Sequence, residues 1–452
     1  MTPIEPETNH GKTIRELGDG LILRHGMPKD KEQLAEFNSS VNSTSSYPDK
    51  SIYHWTLDMM SGDLPNIGPS DFTIVEDQNT GRIVSTLNLI SQTWQYAGIK
   101  LGAGRIELVG THPDYRRKGL VRAQMEVAHQ WSAQRGEHVI GITGIPWYYR
   151  QFGYEMALDH LGGRAGYPLN VPTLPENVKE EYSIRPANSE DIPFLTKTYQ
   201  AATQRYLVSC VRDESIWHYE LYSRSKNSPH RYEIRVIEST RQQPVGLLVH
   251  SEPTQDGSIS MQVYELVRGE SWLAVTPAVI RYLKAYVDAT IDSHMTSFQF
   301  DLGRLHPAFQ VAKTWLPSKN SPYSWYMRVP NIPDFISHIG PVLEHRLEDS
   351  VAAGYTGDLK LNFVGNGLKL TFIGGRLASS ESWKPTQLDS RLGAIERDAL
   401  FPSLTFLQLL FGFRNLAELE YAYPDLRISS DKSREILNAL FPKQVSRVWG
   451  IE

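Results

Sequence analysis

The stretch Thr111-His112-Pro113-Asp114-Tyr115-Arg116-Arg117-Lys118-Gly119-Leu120-Val121-Arg122 sets four cations and one glycine between an apolar run and the start of a helical pattern. Amides at a helix start lack acceptors and carry the positive end of the macrodipole, so they attract phosphate oxygens. Gly119 lets backbone approach a pyrophosphate closely, because no Cβ stands in the way. Arg116, Arg117, Lys118 and Arg122 add positive charge. Taken alone, the loop is either a phosphate cradle or a basic, solvated helix start. Downstream, Trp147-Tyr148-Tyr149-Arg150-Gln151-Phe152-Gly153-Tyr154-Glu155 gathers several phenols. A phenol titrates near pH ~10 and a thiol near ~8.5, so a tyrosine stays protonated at neutral pH and can supply a departing thiolate. The bland alternative is an aromatic packing cluster. Glu107, on the run that leads into the basic loop, is a carboxylate able to take the proton an ammonium must lose before it attacks.

The loop resembles the R-x-x-G-x-G/A signature of the GNAT superfamily, with Arg116, Gly119 and Val121 at its three defined positions. Val121 departs from the usual Gly or Ala. Tyr149, Gly153 and Tyr154 resemble the superfamily's Y-x-x-x-G-[FY] element. The resemblance implies an N-acetyltransferase with acetyl-CoA as the acetyl donor and no metal. It implies a strand from Glu107 to Thr111 that splays from its neighbour, so that Val109, Gly110 and Thr111 pair with the pantetheine arm. Arg117, Lys118, Gly119, Leu120, Val121 and Arg122 would hold the pyrophosphate, Tyr149 would be the acid, and Glu107 is one candidate base.

The elements that must position these groups follow from periodicity. Leu21–Arg24 reads as a strand, and Asp30 as the cap of a helix carrying Leu34 and Phe37. Phe72–Glu76 and Ile83–Ile90 read as strands around the turn Asn79-Thr80-Gly81. Gly104–Thr111 is another strand, Gly119–Gln134 a helix, and Val139–Thr143 a buried strand. This alternation predicts an α+β (mixed α/β) fold. After a Pro-rich linker, Gly166–Glu181, the opening pattern returns. Ile184-Arg185 precedes Asp191 and Leu195 as Leu23-Arg24 precedes Asp30 and Leu34. Glu265-Leu266-Val267 echoes Glu107-Leu108-Val109, and a helix over Pro277–Val287 follows. Two copies of one fold over Leu21–Val329 are expected, the second without the basic glycine loop. A carboxylate kept there, Glu265, also suggests a structural role for Glu107. In Asn331–Glu452, strands Asp358–Phe363 and Leu368–Ile373 flank the hairpin signal Gly365-Asn366-Gly367, and helical runs cover Leu404–Phe413 and Arg434–Phe441. The expected division is a catalytic unit at 1–165, a second copy at 182–329 and a third domain at 331–452.

This architecture resembles the mycobacterial enhanced intracellular survival protein family, with tandem GNAT domains and a sterol-carrier-like C-terminal domain. Gly357–Phe363, Leu400-Phe401-Pro402 and Leu440-Phe441-Pro442 carry that likeness. It implies that the C-terminal α-carboxylate, here on Glu452, is the base opposite the tyrosine, although Val448-Trp449-Gly450-Ile451-Glu452 lacks the aromatic terminus known in that family. It also implies a homo-oligomer, a hexamer by family resemblance. Removing the last three residues is expected to cost little apolar burial.

Bulk properties narrow the partners. The chain has 452 residues and a net charge of -5, which provides no basic field for nucleic acid. It has no run of about 18 apolar residues for a membrane span. The first 15 or so residues read as a polar leader unlike a signal peptide. One cysteine, Cys210, excludes an internal disulfide and a thiolate metal cluster, in keeping with a cytoplasmic setting. The expected reaction is direct attack, in a ternary complex, by a primary amine of an aminoglycoside- or polyamine-like small molecule. The alternatives are a protein-lysine acetyltransferase and a non-catalytic acyl-CoA or lipid-binding sensor.

Overall fold

The structure is a computed structural model and describes residues 12–45, 47–292, 294–385 and 397–452. It is a mixed α/β fold on three sheets. The first part of the chain runs β1 (Thr13–Gly18), β2 (Leu21–His25), α1 (Lys31–Val41), α2 (Lys50–Ser61), β3 (Phe72–Asp77), β4 (Arg82–Tyr96), β5 (Ile99–Thr111), α3 (Leu120–Gln134), β6 (Val139–Ile142) and β7 (Glu155–His160). Ordered structure begins earlier than the expected leader allows. Residues 1–11 lie outside the described residues, but Thr13–Gly18 pairs antiparallel with β2.

Strands β4 and β5 run well beyond Ile83–Ile90 and Gly104–Thr111. Their extra length is polar or glycine-rich (Gln92, Gln95, Gly102), which masks the strand pattern in sequence. It is stabilised by pairing from Trp94↔Leu101 to Tyr96↔Ile99 across the turn Ala97-Gly98, where both residues have positive φ. Neighbouring chain then buries it: β10 (Val208–Cys210) pairs with Trp94–Tyr96. Cys210 lies in this seam, 1% exposed, and burial pushes its thiol up to about 11, so it is unreactive.

The Arg–Asp offset seen twice in the sequence builds the same clamp twice. Arg24 grips Asp30 with both Nη atoms (2.6 and 2.9 Å) and Glu76 with Nε (2.7 Å), while Asp30 also accepts the Met27 amide at 2.8 Å. Arg185 grips Asp191 (2.7 and 2.8 Å) and Glu238 (2.8 Å), and Asp191 accepts the Asn188 amide at 2.9 Å. Asp30 thus stands at the N-cap position, but its carboxylate is spent on the strand arginine and not on capping. Each clamp ties a strand to the entry of its helix.

Sheet pairing crosses the expected boundaries at 165 and 182. The second sheet runs β9 (Tyr182–Pro186), β11 (Tyr232–Ser239), β12 (Pro244–Ser251), β13 (Ser258–Leu266) and β14 (Ser297–Phe300), but it is completed by β8 (Gly163–Gly166), which lies between β14 and β15 (Ser318–Asn320). In return, β16 (Tyr323–Arg328) inserts between β6 and β7 of the first sheet, antiparallel to both. Local sequence carries no signal for such an exchange, because each strand has an ordinary pattern and only its partners change. The helix over 277–287 begins earlier, at Trp272.

In the third sheet Gly357–Asn362 pairs with Gly367–Ile373 as the hairpin signal predicts. The run Leu404–Phe413 forms a helix only over Phe406–Leu410, because Leu404 and Gly412 both take positive φ. Its side chains pack against Phe363, Phe401 and Phe441 as core. Among the described residues no helix is long and apolar enough to cross a membrane.

The clamps differ in depth, which sets their worth. Arg24 and Asp30 are about 5% exposed, whereas Arg185 is 35% exposed. Asp30→Ala leaves a buried guanidinium with Glu76 as its one carboxylate and is expected to cost about 3 kcal/mol, while Asp191→Ala should cost nearer about 1 kcal/mol. Urea denaturation of the two variants measures the difference, and equal losses would contradict this account.

Candidate active site

Strands β5 and β6 pair only where Ala103, Gly104 and Arg105 face Val139, Ile140 and Gly141, and then part. On the other side of β5 the register with β4 slips between Thr86 and Asn88, and Leu108 takes φ +50, a bulge that turns the end of the strand. Among the described residues, the remaining backbone from Glu107 to Thr111 therefore has no strand partner on its β6 side. The expected splay is present, and Val109, Gly110 and Thr111 line it.

A cleft of about 660 Å³ follows the splay to the start of α3. Nine of the ten residues read as cofactor-binding line it: Val109, Gly110, Thr111, Arg116, Arg117, Gly119, Leu120, Val121 and Arg122. Lys118 does not, and its Nζ lies 5.4 Å over the Tyr115 ring. Gly119 sits at the N-cap with φ +77 and Arg117 at φ +66, a tight left-handed turn. Among the described residues, none of the amides from Arg117 to Arg122 has an acceptor. The corresponding helix of the second unit differs at this point: Ser271 caps it and accepts the Ala274 amide. One helix start is open to an anion and the other is closed by its own side chain. The far wall of the cleft comes from Val41 and Asn42 at the end of α1 and from Ile145, none of which the motifs flagged.

Tyr149 lies at the inner side of the turn Tyr148–Phe152, 4% exposed. Burial pushes its phenol above the ordinary range, and the Glu107 charge adds to this, so it holds its proton firmly. Among the described residues its hydroxyl makes no hydrogen bond. Tyr154 is instead fully buried, with its hydroxyl 2.8 Å from His129 Nε2, and burial pushes that histidine down to about 3. Of these phenols Tyr149 combines burial with a free hydroxyl, whereas Tyr154 is packing.

On the opposite side of the splay a charged chain forms. Arg105, 4% exposed, holds Glu107 (2.8 Å) and Glu452 (2.9 Å) with the same Nη2, and Glu452 also contacts His230. Burial, with the Glu452 charge, raises the Glu107 carboxyl despite the arginine. Arg105 and His230 together hold Glu452 well below the usual carboxylate range against its burial. Glu265, the counterpart of Glu107 in the second unit, meets Arg205 and His306 instead.

Residues 30–157 match the acetyltransferase (GNAT) domain family. The chain carries a GNAT acetyltransferase domain. Such domains take acetyl-CoA as donor, which makes the chain an acyltransferase. A search of curated proteins by sequence finds no match. A GCN5-related N-acetyltransferase from Kribbella flavida is similar in structure (14% identity, TM-score 0.64), the match covering 96% of this chain and 98% of that one. So is a conserved protein from Enterococcus faecalis described as a probable N-acyltransferase (12%, 0.65, covering 96% and 99%). Eis1 from Mycobacterium abscessus is similar at 12% identity and a TM-score of 0.59, covering 94% and 99%. At these identities the likeness is one of fold, and it extends beyond the GNAT domain over almost the whole chain.

The end of the chain corrects one expectation outright. Ile451 is 1% exposed in the core, and its carbonyl accepts from Gln92 (2.7 Å) and Arg105 (3.1 Å). The Gly450 carbonyl accepts from Arg212 at 2.7 Å, and a Cβ on Gly450 would stand 2.7 Å from Arg105 Nη1. The last three residues are therefore structural keystones of the GNAT domain and not a cheap appendage.

Two measurements follow. Gly119→Val meets no neighbour within 4 Å, so the variant should fold, but its branched Cβ opposes φ +77 and fills the anion's approach; calorimetry is expected to find CoA affinity at least about tenfold weaker. Deleting Gly450–Glu452 removes a buried isoleucine and the partners of three buried polar groups, a loss of about 3 kcal/mol or more. A thermal midpoint within a degree or two of the full chain would refute the second expectation.

Proposed function

We propose that the protein moves an acetyl group from acetyl-CoA to the primary amine of a small molecule, by direct attack in a ternary complex. One observation carries the reading: a cleft with acceptor-free amides at its helix end and, on the turn whose Tyr148 and Phe152 line that cleft, a buried, protonated Tyr149 that does not itself line it. The pyrophosphate would rest on the amides of Arg117–Arg122, and the pantetheine arm would pair with Val109–Thr111 along the open edge of β5. The amine nitrogen attacks the thioester carbon, the C–S bond breaks, and the departing thiolate takes the Tyr149 proton.

Glu107 is the better base of the two carboxylates on Arg105. One guanidinium cannot neutralise both, and Glu452 has the His230 ring as a second partner. Glu107 is left to carry a proton, and it is near enough to Tyr149 for its charge to be felt there. Glu452 acts in this scheme as the fixed anion, while its α-carboxylate is the competing candidate. A cavity of about 170 Å³ beside Glu452 and His230, with Asp159, His160, Tyr232 and Trp449, presents two carboxylates suited to a cationic amine, whether polyamine- or aminoglycoside-like. The same reading includes tandem GNAT folds that have exchanged a strand, a sterol-carrier-like domain over 331–452, and a cytoplasmic homo-oligomer.

Free-thiol release from acetyl-CoA, measured with a panel of polyamines, aminoglycosides and lysine peptides, tests the reaction; no release with any amine leaves an acyl-CoA sensor. Tyr149→Phe is expected to cut turnover by roughly 10²–10⁴ with CoA affinity unchanged. The pH profile tests the base. Glu107 must be ionised to act, and its carboxyl is raised, so activity should fall as pH drops through a value above the usual ~4.3 of a glutamate. That acid limb should vanish in Glu107→Gln, whose lower rate recovers partly as rising pH frees the amine.

A further inference from the structure

The turn that carries Tyr149 is entered through Gly144-Ile145-Pro146-Trp147, a segment with little packing of its own. Ile145 is 55% and Trp147 63% exposed, and both Gly144 (φ +121) and Trp147 (φ +63) are left-handed. What fixes it comes from β16, the strand received from the other half of the chain. The Tyr326 hydroxyl accepts the Trp147 amide and donates to the Ile145 carbonyl at 3.4 Å. The Tyr323 hydroxyl donates to the Gly144 carbonyl. Tyr326 is fully buried, and its ring stands edge-on to Tyr149 with centroids 5.6 Å apart. A Cβ on Gly144 would lie 3.8 Å from the Tyr149 hydroxyl, so a shift of this segment is felt directly where the proton is given up.

We infer that Tyr326, assisted by Tyr323, is a positioning residue that aims Tyr149 by pinning residues 144–147. Among the described residues the Tyr149 hydroxyl has no hydrogen bond to hold it, so its direction is set by ring contacts and by this backbone anchor. The second unit, which has no phosphate turn of its own, in this way serves the site of the first. The inference rests on Tyr149 being the acid.

Tyr326→Phe keeps the ring and removes the two hydrogen bonds. In hydrogen exchange on the full chain, the Trp147 amide should exchange roughly tenfold faster, since its acceptor is gone. With acetyl-CoA and the best amine of the panel, kcat should fall about tenfold while the KM for acetyl-CoA stays within about twofold. In a Tyr149→Phe background the same substitution should leave the residual rate unchanged, because its effect passes through the acid. Unchanged exchange, an unchanged kcat, or an equal loss in both backgrounds would overturn the positioning role while leaving a damaging Tyr149→Phe to support the acid. A harmless Tyr149→Phe would overturn both. Tyr323→Phe, read at the Gly144–Trp147 amides and in kcat, gives the same test by a milder change should Tyr326→Phe fail to fold.

Discussion

The candidate site depends on β5 leaving β6 after Arg105. A parallel pair that continued would satisfy the edge of β5 with protein, and nothing would remain for a ligand's amides to bond. The bulge at Leu108 makes the departure possible by bending β5 away, and Gly110 lets α1 close on it, since a Cβ there would stand 2.5 Å from Val41 Cγ2. The backbone that loses its β6 partner becomes one wall of the cleft. The two faces of the sheet here carry different chemistry: phenols on the α3 side, a carboxylate–arginine chain on the other.

Charge accounting shapes the second face. Arg105 is buried with two carboxylates, and Arg212 and Arg224 share Glu220 close by, where both arginines hold that carboxyl below its ordinary range against its burial. Buried ions of this kind persist only when paired. The terminal segment supplies much of the pairing, through the Glu452 carboxylate and the carbonyls of Gly450 and Ile451. Arg212 also lies 3.3 Å over the Trp449 ring, packing the tail against the second sheet. Site and stability are thus coupled: the groups that set the state of Glu107 are the ones that hold three parts of the chain together.

The placement of β8 and β16 ties the first two sheets together. Strand β16 presents Trp325 to Arg105, 5.1 Å from the guanidinium, and Tyr326 to Tyr149. Alternate sides of one strand thereby reach both groups.

What could be read from residues alone was local. Gly119 in a basic turn at a helix start, Tyr149 before Gly153-Tyr154, and the strand containing Glu107 are patterns within a few residues, where backbone geometry and hydrogen-bonding need are dictated by neighbours in sequence. The paired Arg–Asp offsets were legible for the same reason, since each clamp closes over six residues. The tertiary structure alone decided which strand lies beside which, that Tyr326 rather than a neighbour of Tyr149 anchors its turn, and that Glu452 meets Arg105 from 347 positions away in the chain. It also decided that the C-terminal residues are core and that the run 404–413 is a broken helix. These outcomes depend on partners brought together by burial and pairing across hundreds of residues, and no local pattern encodes the identity of a distant partner.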